Sequence, residues 1–210
     1  MVAHDRGRPK FTRDSKRESF VGQFLDLKFY PNYFENSRRI SDRQMQLAGV
    51  DIISNLRDGC DDLFIDEKAA TSWAHREIST FALELSFLLN GKEIDGWFFP
   101  RNKKTLTTHW IFVWPRTSGG NITSVENIVS AEVMLIETKE LRRWIRRMAS
   151  KSDTSLDECI NLLRKSDSEK EINWGGLRIL ISRQLPEQPI NILIPKDILL
   201  AISKSNNWLL

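Results

Sequence analysis

The sequence predicts an α/β (α+β) protein in which strands and helices alternate and a C-terminal extension follows, and three observations carry that expectation. Residues 44–70 hold two short apolar runs, Gly49–Ser54 and Leu63–Ala70, around a polar stretch, Asn55–Asp62, that contains Asp58-Gly59. A D-G pair between apolar runs signals a hairpin, although this loop is longer than the tightest kind. Phe81–Leu88 alternates strictly, with Phe81, Leu83, Leu85 and Phe87 on one face and Ala82, Glu84 and Ser86 on the other. Helical spacing of apolar residues recurs over Ser15–Tyr30 and Thr138–Ala149.

The elements follow in order. Residues 1–17 carry six Lys/Arg against two Asp, and 1–14 are expected to form a basic, mobile arm, either solvated or following a phosphate backbone. In Ser15–Tyr30, Phe20, Val21, Phe24 and Leu27 mark a helix that Pro31 ends. Tyr33–Ser41 is ambiguous, and its Arg38-Arg39 either meets a phosphate or faces water. After the hairpin, Thr71–Ser79 is a polar connection whose His75 is expected at the surface.

Asn90-Gly91 reads as a tight turn leading to a strand at Glu93–Phe99, a basic loop at Arg101–Lys104 and a strand at Thr107–Trp114. Trp97, Phe98, Phe99, Trp110, Phe112 and Trp114 concentrate aromatic area that suits a core, with base stacking as the alternative. His109 is expected to be structural. Ser118–Asn121 is a loop, Val129–Ile136 a strand and Thr138–Ala149 a helix with Thr138 as its cap.

On that helix Arg142, Arg143, Arg146 and Arg147 form the densest positive patch in the chain. It is a candidate nucleic-acid surface, with a solvated helix face as the rival reading. Asp153–Arg164 reads as another amphipathic helix. Strands at Leu177–Ser182 and Ile190–Ile194 precede a helix at Lys196–Ser203, opened by Pro195. Asn173–Gly176 is a turn or a backbone approach to a ligand.

Composition bounds the function. At 210 residues, with 40% hydrophobic residues, seven Trp and eleven Phe, the chain can bury a full core. A net charge of +3 means that any attraction to nucleic acid comes from local patches. Cys60 and Cys159 are isolated, which argues against a disulfide scaffold or a zinc site and fits a reducing cytoplasm. No apolar run approaches membrane-spanning length, so a soluble, cytoplasmic protein without a membrane partner is expected. No triad, glycine-rich phosphate loop or dinucleotide fingerprint is present.

On the strand at Leu63–Ala70, Phe64, Asp66 and Lys68 share one face while Ile65, Glu67 and Ala69 share the other. Asp51 lies on the neighbouring strand, so two carboxylates and an ammonium group can converge. Asp51 followed by Asp66-Glu67-Lys68 resembles the split motif of the PD-(D/E)xK nuclease superfamily, and Gln46–Asp51 is similar to the Q-x-x-G-x-D lead-in of some branches. Val50 stands where the proline that names the motif would be. With Glu67 as the acid the motif would require lysine at 69, which is alanine, so only the Asp66 frame fits.

The resemblance implies a restriction-endonuclease-like mixed central sheet flanked by helices, here with extra strands. It places a nuclease-like core at 15–117, with 118–210 completing that domain or forming a small appendage. It implies Mg²⁺ (Mn²⁺ as substitute) held by Asp51, Asp66 and the Glu67 backbone carbonyl. Lys68 would tend the attacking water, for which a lowered proton affinity suits it, and Gln46 would support the site. Glu84 is a candidate third carboxylate, against a plain surface glutamate, and Glu18 or Glu35 is a candidate for the glutamate carried before the motif. The superfamily core has a helix soon after its motif strand, whereas three more strands are read here. The implied function is a Mg²⁺-dependent endonuclease acting on DNA, with RNA open, of phage or mobile-element type and with a homodimer as an option. The alternatives are an inactive nucleic-acid-binding module on the same core and an assembly protein with no nuclease activity.

Overall fold

The computed structural model describes residues 9–56, 61–100, 104–168, 170–203 and 206–210. In chain order the elements are α1 (Pro9–Lys28), the single turn α2 (Tyr30–Tyr33), β1 (Phe34–Arg39), α3 (Arg43–Leu47), β2 (Ile52–Leu56) and β3 (Leu63–Ala69). A 3₁₀ turn, Thr71–Trp73, precedes β4 (Thr80–Leu89), β5 (Lys92–Asp95), β6 (His109–Thr117) and β7 (Ile128–Glu137). Then come α4 (Thr138–Ala149), α5 (Leu156–Lys165), β8 (Glu171–Trp174), β9 (Leu177–Ile181), β10 (Ile190–Pro195), α6 (Lys196–Ser203) and β11 (Asn207–Leu209). The expected turn pair Asp58-Gly59, Cys60, and Arg101–Lys103 of the basic loop lie outside the described residues.

Two sheets result. One runs β1-β2-β3-β6-β7-β11 and the other β5-β4-β10-β9-β8. The first is mixed, because β1, β2 and β3 pair antiparallel while β3 and β6 pair parallel. A parallel pair needs a crossover, usually helical. Here the backbone instead leaves the first sheet after β3, builds β4 and β5 of the second, and returns as β6. The extra strands read in the sequence are that excursion. Accordingly the chain clusters into two interleaved units rather than at residue 117. The first is Met1–Ile78, Thr107–Leu135 and Asn206–Leu210; the second is Ser79–Leu106 and Ile136–Ser205.

In the first unit, Val21, Phe24 and Leu25 of α1 pack with Phe29 and Tyr30 over Ile52, Ile65, Ile111, Val113 and Val133. Spacing of i, i+3 and i+4 defines the buried stripe, so Leu27, expected to face the core, is 66% exposed. Helix α1 begins at Pro9, inside the segment expected to be a mobile arm; Pro9 suits a first turn, and Gly22 is the weakest helix former after it. Pro31 falls in the first turn of α2 rather than ending α1.

The ambiguous stretch is β1, an edge strand with an irregular register between Glu35 and Arg38 and a left-handed Asn36. Strands β1 and β11 are opposite edges of the six-stranded order, yet Trp208 reaches Phe34 at 6.3 Å, Phe29 at 5.0 Å and Tyr33 at 5.3 Å between ring centroids. The sheet therefore curls until its edges share one aromatic cluster.

In the second unit β10 lies between β4 and β9, and Phe81, Leu83, Leu85, Ile179, Ile190, Ile192 and Ile194 are buried. Strand β5 stops at Asp95, short of the expected Phe99, because Gly96 lies so close to β4 that an added Cβ would stand 2.3 Å from the Glu84 carbonyl oxygen. Helix α4 has the expected range, but its N-cap lies one residue before the expected one: Glu137 is the N-cap and Thr138 is buried in the first turn. Ser155 and Glu158 form a capping box on α5. Asn173–Gly176 is the turn joining β8 to β9. Trp110, Phe112 and Trp114 are buried, so these rings are core. Among the described residues no helix is long and apolar enough to cross a membrane.

Trp208→Ala is expected to destabilise the protein by about 2–3 kcal/mol, the lower part of the usual large-to-small range because the ring is only half-buried. Urea unfolding measures it, and a change below about 0.5 kcal/mol would show that the curled sheet does not depend on this cluster.

Candidate metal centre

The centre is assembled by the turn that enters β2. Asp42 caps α3, its Oδ1 accepting from the Met45 N–H at 2.8 Å. The Gln46 side-chain amide donates to the Ile40 carbonyl at 2.9 Å, and the Ile40 N–H donates to the Asp51 carbonyl at 2.7 Å. Gly49 turns the chain with φ +81, and an added Cβ would stand 2.6 Å from Thr107 Oγ1 and 3.9 Å from Asp66 Oδ2. Thr107 Oγ1 itself donates to the Gly49 carbonyl at 2.6 Å. A side chain there would be strained in the backbone and would collide with the Thr107 hydroxyl.

Register then does the rest. Ile52 pairs with Ile65, Ile53 with Phe64 and Ser54 with Leu63. Asp51 lies just before β2, where the ladder ends, and its carboxylate comes close enough to Asp66 for its charge to act on that carboxyl. The Asp51 N–H still donates to the Ile65 carbonyl at 2.8 Å, while Asp51 Oδ2 accepts from the Glu67 N–H at 2.9 Å. Lys68 Nζ donates to Asp66 Oδ1 at 2.5 Å. The structure thus brings Asp51, Asp66 and Lys68 together.

The electrostatics follow from burial. Asp66 is 7% exposed, and burial pushes its carboxyl up from 3.8 to about 6; Lys68 opposes that rise and the nearby Asp51 charge adds to it. Burial works against the Lys68 charge, but Asp66, Asp51 and Glu18 outweigh it and raise the ammonium above its ordinary value. The sequence reading wanted the opposite, a lysine of lowered proton affinity. Two carboxylates beside one amine produce this result in the metal-free chain. Glu18, an exposed residue of α1, is near enough for its charge to act on Lys68, whereas Glu35 is exposed on the β1 edge.

The donor set suits a hard divalent cation. Asp51 and Asp66 offer carboxylate oxygens beyond those bonded to the Glu67 N–H and to Lys68. In a strand the carbonyl projects to the same side as the N–H of its residue, so the Glu67 carbonyl faces the Asp51 side. Mg²⁺ commonly binds through one or two carboxylates and keeps several waters. Among the described residues no group of three or more His, Cys, Asp or Glu side chains gathers as a metal site. Glu84 lies on β4, in the other sheet and the other unit, beside Gly96.

The remaining predicted residues take different places. Gln46 is a brace for Ile40 rather than a ligand. The Glu67 side chain turns away from Asp66, accepting from Tyr30 Oη at 2.7 Å and Arg39 Nη1 at 2.7 Å. Arg39, partly exposed, is held by Glu67 and Asp26. On α4, Arg142 donates to the Phe98 carbonyl at 3.3 Å, and burial together with Arg146 lowers its proton affinity. Arg143 pairs with Glu140 at 2.6 Å, while Arg146 and Arg147 are exposed. All four arginines belong to the second unit. His75 is exposed and His109 contacts Thr108 Oγ1 at 2.9 Å.

The sequence reading missed Arg39, Tyr30, Asp26 and Thr107 as parts of this region. Glu67 was the available signal. A carboxylate sharing a strand face with Ile65 and Ala69 requires a buried donor of hydrogen bonds and positive charge. Compared with known proteins, the chain matches no family model, no curated protein and no solved structure.

The folded protein holds the Asp66 proton more tightly than the unfolded chain does, so this group favours folding most below its unfolded pKa of 3.8, and the contribution is lost as pH rises through about 6. Measured by urea unfolding in EDTA, the wild-type protein is expected to lose about 2–3 kcal/mol relative to Asp66→Asn between roughly pH 4 and pH 7. A difference that stays flat across that range would show that Asp66 is not held as described.

Proposed function

We propose that the protein is a Mg²⁺-dependent phosphodiesterase acting on DNA. One observation carries the reading: Asp51 stands near a buried Asp66 whose proton affinity is raised, with the Lys68 ammonium 2.5 Å away. A buried carboxylate beside a second one is a costly concentration of negative charge, and a divalent cation is a species that relieves it. Together with the motif resemblance, this favours a nuclease over other metal-using hydrolases.

Mg²⁺ bound there supplies an acidified water and neutralises charge developing on the phosphodiester. The chain's own groups do the rest. Asp51 and Asp66, with the Glu67 carbonyl, orient the cation. Lys68, held by Asp66, stands where it steadies a phosphate oxygen or exchanges a proton with the incoming water once its carboxylate partner is engaged elsewhere. The Glu67 N–H fixes the rotamer of Asp51, and the Gln46–Ile40–Asp51 chain of bonds fixes its backbone. Exposed Arg146 and Arg147 on α4 are the proposed contacts to the nucleic-acid backbone.

Supercoiled plasmid incubated with Mg²⁺ is expected to be nicked or linearised, and EDTA to abolish this. Asp66→Ala and Lys68→Ala should each reduce the rate by about 10²–10⁴-fold while the far-ultraviolet circular dichroism spectrum is kept. Cleavage that survives Asp66→Ala would refute the assignment. Salt-sensitive DNA binding without cleavage by the wild-type protein would instead identify a binding module on this scaffold.

A further inference from the structure

We infer that Arg39 is a positioning residue for the metal centre, acting through Glu67; this rests on the reading of Asp51 and Asp66 as metal-holding carboxylates. Residue 67 is where the two faces of β3 meet. Its backbone N–H holds Asp51 Oδ2 at 2.9 Å, and its neighbours on either side are Asp66 and Lys68. On the opposite face its carboxylate accepts from Arg39 Nη1 at 2.7 Å, Arg39 Nη2 at 3.2 Å and Tyr30 Oη at 2.7 Å. The two oxygens thus receive the fork of the guanidinium, a geometry an ammonium cannot reproduce.

Arg39 is itself clamped from the other side. Its Nε and Nη2 donate to Asp26 Oδ2 at 2.9 Å and Oδ1 at 2.8 Å, and Nη2 also reaches the Gly22 carbonyl at 3.2 Å. An added Cβ at Gly22 would stand 3.2 Å from the guanidinium, tight enough that Arg39 would have to give by a few tenths of an ångström. Burial opposes the charge of Arg39, yet its bonds to Asp26 and Glu67 hold it more firmly protonated than usual.

A second link runs through the backbone. Arg39 precedes Ile40, whose N–H holds the Asp51 carbonyl at 2.7 Å. Arg39 therefore bears on Asp51 by two routes, one along β1 and one across β3. Without it, Glu67 would be a mostly buried carboxylate, its side chain 13% exposed, beside two others. It would swing toward water, dragging the strand segment that presents Asp66, Lys68 and the Asp51-binding amide.

The test is a double-mutant cycle on the full chain, read by Mn²⁺ titration calorimetry and by plasmid-cleavage kinetics. Arg39→Met is expected to weaken Mn²⁺ binding about tenfold and to lower kcat with little change in KM for DNA. Arg39→Lys should fail to restore either, because it returns the charge without the fork. In a Glu67→Gln background, Arg39→Met should add little. Tyr30→Phe, which keeps the ring in the core, should weaken Mn²⁺ binding by a few-fold and serves if Arg39→Met does not fold. Unchanged Mn²⁺ binding in these variants, or fully additive losses in the cycle, would overturn the inference while leaving the metal centre standing. Wild-type protein that takes up no Mn²⁺ at all would sink the metal-centre reading and this inference with it.

Discussion

The pairing of β2 with β3 is the constraint on which the rest of the first unit depends. A strand ladder has a period of two, so one residue of slip would send every side chain to the other face. Here the register is pinned on both sides of the hairpin: Ile52 and Ile65 are buried together in the core, and the Asp51 N–H closes on the Ile65 carbonyl. The acidic pair is therefore a by-product of burying the isoleucines. Slipping Asp51 away from Asp66 would also expose Ile52 or Ile65, and the cost of that exposure guards the site.

Strand β3 carries charge on both faces, and each face solves the burial problem in its own way. On one, Asp66 is paired with Lys68, but its burial, with a smaller addition from Asp51, makes it hold its proton tightly. On the other, Glu67 is matched by the Arg39 fork and the Tyr30 hydroxyl. Arg39 and Lys68 both stay partly open to water, so each pair joins a shielded carboxylate to a partly solvated cation.

The topology departs from the order in which the strands follow one another along the chain. The parallel partner of β3 is β6, but the segment between them is spent on β4 and β5 of a separate five-stranded sheet. The C-terminal residues return in the same manner, so that β11 pairs with β7 and Trp208 joins Phe29 and Phe34. The arginine helix α4 sits within the second unit, and two of its four arginines are engaged in contacts of their own.

What the sequence determined is what depends on near neighbours. Alternation fixed β3 and β4, helical spacing fixed α4 and α5, and Pro195 marked the start of α6. The antiparallel pairing of β2 with β3 and the side of β3 that carries Asp66 and Lys68 were legible, because strand pleating couples residues two apart and a hairpin couples residues a loop apart. Only the tertiary structure decided that Leu25 rather than Leu27 faces the core, that Glu84 stands on a different sheet, and that Arg39 is held by Glu67 and Asp26. These depend on which surfaces meet across the fold. A side chain's partner is set by the packing of elements distant in sequence, and one-dimensional periodicity carries no term for that.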